Sequence, residues 1–432
     1  MAKKEKQAQA VPGSPRQPVV RRFDFGPGEA APGYTGVAPD CQYDAARGYG
    51  FEDITRVYGR ERTHRPGTAA GGSLGEGGGV AGAAGAAGAA GTSPIQDRLR
   101  RSFCIPLGTA FVIDVPDGVY QVAICLGDRL AETHTLIRAG EGKQVLPELR
   151  TLPGQWAEER FSLAVRGGRL RIIVSGEAPR LNAIEVTEAP ETLRLMLAGD
   201  STVADQPEAG YPYAGWGQML PALFKHDVCV DNHAVSGRSS KSFIDEGRLD
   251  AMLRELKAGD FLFIQFGHND EKSDTARRTD PSTTYKEYLQ RYVDGAKDCG
   301  AQPVLVTPVV RRYFDEEGKL TDTHEAYTAA VRELSEACQV PLIDLAELTH
   351  ALVQQEGVEG SRNLYMWVYP GEYRSFPSGV QDNTHFQASG AAKVAELVAA
   401  SIRRLELQPL WMYLRVNEAG ERSRDDDAKA GI

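Results

Sequence analysis

Four short segments in the second half of the chain carry residue types that together could run acyl transfer. They are Gly199-Asp200-Ser201, Val235-Ser236-Gly237-Arg238-Ser239, Gly267-His268-Asn269-Asp270 and Asp382-Asn383-Thr384-His385. Ser201 offers a nucleophile, His385 a base, and Asp382 a carboxylate to orient that base. The amides of Ser201 and Gly237 and the side chain of Asn269 offer three donors for an oxyanion. Each segment alone has an ordinary explanation. A serine after a strand commonly caps a helix, a glycine may serve only to turn the chain, and an asparagine can cap a turn. Asp-x-x-His is a common spacing, though it lets the carboxylate reach one ring nitrogen while the other faces outward. His268 and Asp270 are read as structural.

What favours chemistry is joint placement. From Thr192 onward apolar runs alternate with amphipathic stretches, which predicts a parallel sheet covered by helices on both faces. Strands are expected at 193–197, 229–232, 261–265, 303–307 and 341–343. Tyr285, Tyr288, Leu289, Tyr292, Val293 and Ala296 form one helical stripe. A further helix is expected from Ser389 to about Arg404. Ser201, Gly237 and Asn269 then follow three separate strands at one end of the sheet, where open parallel sheets bind ligands. His385 is placed on a loop just before the last helix.

The first half reads differently. Residues 21–188 hold short strand-like runs at 103–105, 110–115, 119–126, 160–165, 170–175 and 181–186, many closed by Gly, Pro or Asp. This pattern predicts a β-sandwich. Val115-Pro116-Asp117-Gly118-Val119 is expected to be a tight hairpin. Residues 67–93 are Gly/Ala-rich and expected to form a mobile loop. Residues 1–20 and the end of a C-terminal extension (406–432) are expected to be disordered.

With 432 residues and 41% hydrophobic side chains, the chain can bury two cores. A net charge of −10 without a basic stripe argues against a nucleic-acid partner. No apolar run approaches the ~18 residues of a membrane span. The N-terminus has lysines but no apolar stretch after them, so a cytoplasmic location is expected, or a secreted one had a leader been removed. The six cysteines form no CxxC pair and are expected to be free thiols. No Cys/His cluster has metal-ligand spacing, and neither metal nor organic cofactor is expected.

Residues 192–405 resemble the SGNH (GDSL-type) hydrolases, named for the Ser, Gly, Asn and His of four sequence blocks. Ser201, Gly237, Asn269 and the Asp382/His385 pair fall on those blocks. The runs Ala234 to Phe243, Phe266-Gly267-His268-Asn269-Asp270 and Asp382 to Phe386 are similar to the rhamnogalacturonan acetylesterase branch in particular. The resemblance implies a three-layer α/β/α, flavodoxin-like domain that removes O-acetyl groups from pectic rhamnogalacturonan by a Ser-His-Asp mechanism. The sugar is less fixed than the reaction, so acetylxylan or another acyl ester stays open. A carbohydrate-binding protein without catalysis is the rival of a different class. Phe23-Asp24-Phe25-Gly26 and the aromatic run from Tyr43 to Phe51 make the first half resemble a galactose-binding-like module. The expected partner is an acetylated oligosaccharide, with no nucleic acid and no membrane. Arg238, Trp367 and Tyr369 are candidate substrate contacts, the aromatic residues on an irregular loop from Tyr365 to Phe376. Arg311 and Arg312 are weaker candidates for meeting a galacturonate carboxylate.

Overall fold

The computed structural model describes residues 20–62 and 93–416. The expected disordered N-terminus, the Gly/Ala-rich loop and the tail from Asn417 lie outside the described residues, except at two edges. Val20 opens a strand, and Ser93 caps the Pro94–Leu99 helix by accepting from the Gln96 amide.

The first half is a β-sandwich. One sheet runs in the order Trp156–Val165, Gly118–Gly127, Ala183–Glu188, Val20–Phe25, Thr35–Val37. The other runs Leu149–Thr151, Thr133–Ala139, Arg169–Ala178, Thr109–Asp114, Tyr49–Phe51, with Lys143–Gln144 paired beside Thr133–Ala139. Phe23, Phe25, Phe51 and Phe111 pack edge-on and tilted between the sheets, with ring centroids as close as 4.9 Å for Phe25 and Phe111.

The hairpin expected at 115–119 does not form. Thr109–Asp114 pairs with Arg169–Ala178 in one sheet, and Gly118–Gly127 pairs with Trp156–Val165 in the other. The Asp-Gly step therefore crosses between sheets. Gly118 stays outside the left-handed region that a two-residue Asp-Gly hairpin needs. Asp117 instead accepts from the Gly168 amide at 2.7 Å, and the Val115 amide donates to the Gly168 carbonyl at 3.1 Å.

The second half is the predicted three-layer α/β/α fold. Its sheet runs Val228–Asn232, Leu193–Gly199, Phe261–Gln265, Gln302–Val306, Leu342–Ile343, all parallel. This order is that of flavodoxin-like sheets. The period of two along each strand feeds two cores. Leu195, Leu197, Phe261 and Phe263 point toward Val394, Ala395 and Val398 of the Ala388–Arg404 helix. Met196, Ala198, Leu262 and Ile264 point toward Leu289, Tyr292 and Val293 of the Thr284–Asp298 helix, the stripe read from the sequence. No helix among the described residues is long and apolar enough to cross a membrane. The cysteines are free thiols.

One further expectation is corrected. The irregular loop expected from Tyr365 to Phe376 and the loop expected to carry Asp382 and His385 contribute two strands. Tyr365–Val368 pairs antiparallel with Val380–Gln387, which also pairs with Tyr213–Ala214. Trp367 faces Gln381 but Tyr365 faces Phe386, so two steps on one strand oppose five on the other. The three surplus residues fall within 382–385, and this stretch swells out as a bulge. Asp382 and His385 sit on it.

Candidate functional site

The bulge brings His385 to the nucleophile. The Ser201 hydroxyl lies 2.9 Å from His385 Nε2, and His385 Nδ1 lies 2.7 Å from Asp382 Oδ2. The other Asp382 oxygen accepts from the Thr384 and His385 amides at 2.7 and 3.1 Å, so the three-residue spacing folds the carboxylate against its own loop. Burial pushes this carboxyl up, but the His385 hydrogen bond and charge and the two amides outweigh it and hold it at about 2. Asp382 is thereby held as an anion behind the imidazole near neutral pH. Tyr213 packs edge-on to the His385 ring at 5.1 Å and limits its swing.

Ser201 follows the Leu193–Gly199 strand on a loop shaped by its neighbour Asp200. That carboxylate is fully buried and accepts from the Thr202 amide and hydroxyl at 2.9 and 2.8 Å, with His268 Nδ1 at 3.4 Å from its other oxygen. Burial raises the Asp200 pKa, but His268 and Thr202 more than compensate and leave it lowered. His268 in turn packs against His324, which bonds Glu271 at 2.9 Å. Asp270 accepts from the Ser240 amide at 3.1 Å and the Thr279 hydroxyl at 3.1 Å, anchoring the second block to the third. His268 and Asp270 thus serve as structure.

The three oxyanion candidates gather on these loops. Val235 to Arg238 close a turn through a 3.3 Å hydrogen bond, and Gly237 takes φ 81° within it, a conformation that favours glycine. Asn269 is buried, and its amide donates to the Arg238 carbonyl at 3.2 Å, leaving a second N–H. Among the described residues, the Ser201 and Gly237 amides donate to no other group.

Several contacts were not anticipated. Gln206 donates to both the Ser201 carbonyl and the Ser236 hydroxyl at 3.1 Å, pinning the first block to the second. The sandwich continues this chain. Gln218 bonds Gln206 twice and donates to the Gly142 carbonyl at 3.0 Å, while the Glu208 amide donates to the Glu141 carbonyl at 3.0 Å. Beside them the buried Lys143 ammonium donates to the Val230 carbonyl at 3.2 Å and lies 3.5 Å from Asp205. Burial alone would lower the Lys143 pKa, but Asp205 and Asp231 raise it and keep the ammonium charged. Sequence offered no signal for these partners, because a glutamine or a lone lysine has no spacing rule.

Three of the candidate substrate contacts are engaged elsewhere. Arg238 turns back to Glu246 at 3.0 Å. Arg311 pairs with Glu271. Arg312 is buried, bonds Ser361 at 3.0 Å, and stacks on Trp367 at 4.6 Å. Arg362 also lies over the Trp367 ring, at 4.7 Å, so the ring is already engaged by two arginines. Tyr369 is exposed just beyond its strand. One trio among the described residues, Asp231, His233 and Glu255, has the spacing of a metal site. The Arg166 guanidinium fills its centre, 2.7 Å from Asp231, 3.0 Å from His233 and 2.7 Å from Glu255.

Residues 197–393 match the sequence model of the GDSL-like lipase/acylhydrolase family. The chain is 44% identical over 229 residues to the rhamnogalacturonan acetylesterase RhgT of Bacillus subtilis, across 53% of this chain and 97% of that protein. It belongs to the GDSL-like lipase/acylhydrolase family. The probable rhamnogalacturonan acetylesterase YesY of Bacillus subtilis is 40% identical over 217 residues, covering 49% of this chain and 94% of that one. The uncharacterized esterase YxiM of the same organism is 30% identical over 399 residues, 90% of this chain and 92% of its own. That match extends through the sandwich as well as the hydrolase half. As a member of this family the protein is a serine esterase, as the four blocks led us to expect.

Proposed function

We propose that this esterase removes O-acetyl groups from pectic rhamnogalacturonan oligosaccharides through an acetyl-serine intermediate. The observation that carries the reading is the Ser201–His385–Asp382 relay, with contacts of 2.9 and 2.7 Å. The names of the relatives RhgT and YesY support the substrate.

In this mechanism His385 Nε2 takes the Ser201 proton as the hydroxyl oxygen attacks the acetyl carbonyl. Asp382 holds the Nδ1 proton in place and stabilises the imidazolium that forms. The Ser201 and Gly237 amides and the Asn269 side chain hold the developing oxyanion. The His385 proton then passes to the departing sugar alcohol. Water, activated by the same imidazole, attacks acetyl-Ser201, releases acetate and restores the hydroxyl. A cytoplasmic enzyme of this kind would act on short imported oligosaccharides rather than on polymer.

The test is acetate release from acetylated rhamnogalacturonan and acetylated xylo-oligosaccharides in parallel, with Ser201→Ala as control. Faster release from the first, abolished in the control, is expected. Preference for the xylan substrate would keep the mechanism and overturn the sugar.

A further inference from the structure

With Arg238, Arg311 and Arg312 engaged elsewhere, the site as described leaves its substrate's charge unmet. A galacturonate-containing chain is an anion, and this protein carries a net charge of −10. An acidic substrate therefore approaches against the overall field unless a local cation receives it.

Such a cation comes from the sandwich. Arg138 lies on the Thr133–Ala139 strand, where its backbone pairs with Gln144 and Ile173. Its guanidinium sits over the ring of Tyr211, 5.1 Å from the centroid. Among the described residues that guanidinium has no carboxylate and no hydrogen-bond acceptor as partner. Tyr211 is 40% exposed and meets Tyr373 edge-on at 5.8 Å, which makes a two-ring platform. Two residues along the chain, Tyr213 packs on His385 at 5.1 Å. Two residues of backbone span at most about 7 Å, so the chain that carries the platform also carries the ring packed on the catalytic imidazole.

We propose that Arg138 and the Tyr211–Tyr373 platform form a subsite for a uronate residue of the substrate, built across the sandwich and the hydrolase. The inference rests on the pectic reading above and deepens it. One face of the guanidinium is covered by Tyr211. Its edge stays free to present paired N–H donors to a planar carboxylate, the geometry in which Arg binds such groups best. The rings offer apolar faces to the C–H faces of neighbouring sugars. A lysine there would give charge without the fork.

The test compares the wild type with Arg138→Gln on acetylated rhamnogalacturonan oligosaccharides and on the same oligosaccharides with their carboxyl groups reduced. The KM ratio of neutral to acidic substrate is expected to fall about tenfold in the variant, with kcat on the acidic substrate nearly unchanged. A second readout is inhibition of p-nitrophenyl acetate hydrolysis by unacetylated oligogalacturonate. Competitive inhibition that weakens by a similar factor in Arg138→Gln supports the subsite even should the wild type release no acetate from rhamnogalacturonan, an outcome that would sink only the pectic reading. A KM ratio and an inhibition constant both indifferent to Arg138 would overturn the inference.

Discussion

Arg312 and Asn383 are joined twice. The Arg312 amide donates to the Asn383 carbonyl at 2.8 Å, and its guanidinium donates to the Asn383 side-chain oxygen at 3.2 Å. The Trp367 indole donates to that same oxygen at 2.8 Å. Asn383 lies between Asp382 and His385 on the bulge, so two residues once considered for sugar contact grip the catalytic loop from behind. We expect these contacts to keep the imidazole on its line to Ser201, because small misplacements at this step are costly in rate.

Trp367→Phe keeps an aromatic ring against the two arginines and deletes the donor to Asn383. We expect kcat to fall about tenfold with KM nearly unchanged, since the loss acts on the loop and not on the sugar. Steady-state kinetics on one acetylated oligosaccharide decides it. A raised KM with normal kcat would return Trp367 to the binding surface.

Asn269→Ala removes one proposed oxyanion donor. The expected drop in kcat is roughly 100- to 1000-fold, with the melting temperature changed little, because only one hydrogen bond, to the Arg238 carbonyl, is lost. Near-normal kcat would take Asn269 out of the site.

The lowered Asp382 pKa has a signature in stability. Its folded value of about 2 lies below the unfolded value of about 4, so its stabilising contribution is complete above pH ~4 and is lost as pH falls through about 2. Asp382→Asn lacks that contribution at every pH. The gap in melting temperature between wild type and variant should therefore be constant near neutrality and close between pH ~4 and ~2. Calorimetry across that range checks it, and a gap that stays open at pH 2 would contradict the assignment.

Lys143→Met leaves Asp205 without its ammonium close to the nucleophile loop. We expect kcat to fall about tenfold, with partial recovery in Lys143→Arg, because unpairing a buried charge is costly. Lower stability with an unaltered kcat would mean that Lys143 merely fastens the two halves together.

Much of this was legible in advance, for physical reasons that differ by element. A strand buried on both faces, such as Phe261–Gln265, must be a continuous apolar run. The helix stripe from Tyr285 to Ala296 announces its period in the same way. The Val380–Gln387 strand was hidden because the bulge fills its middle with Asp, Asn, Thr and His, which read as loop. The Asp-Gly step at 117–118 marks a change of direction but not which sheet receives the chain. Gln206 and Lys143 were illegible because they donate to backbone carbonyls, which every residue carries and no side-chain spacing marks.

The turn of the sandwich that touches the hydrolase does so through the carbonyls of Glu141 and Gly142. Gly142 takes φ 135°, and an added Cβ would come within 3.1 Å of the Gln218 amide. At this turn the sandwich side of the junction is a backbone contour, while Lys143 and Arg166 beside it reach across with their side chains. The sequence of this turn is thus free to drift wherever only its carbonyls are used, whereas a side chain at Gly142 would meet both an unfavourable φ and the Gln218 amide that ties the two halves together.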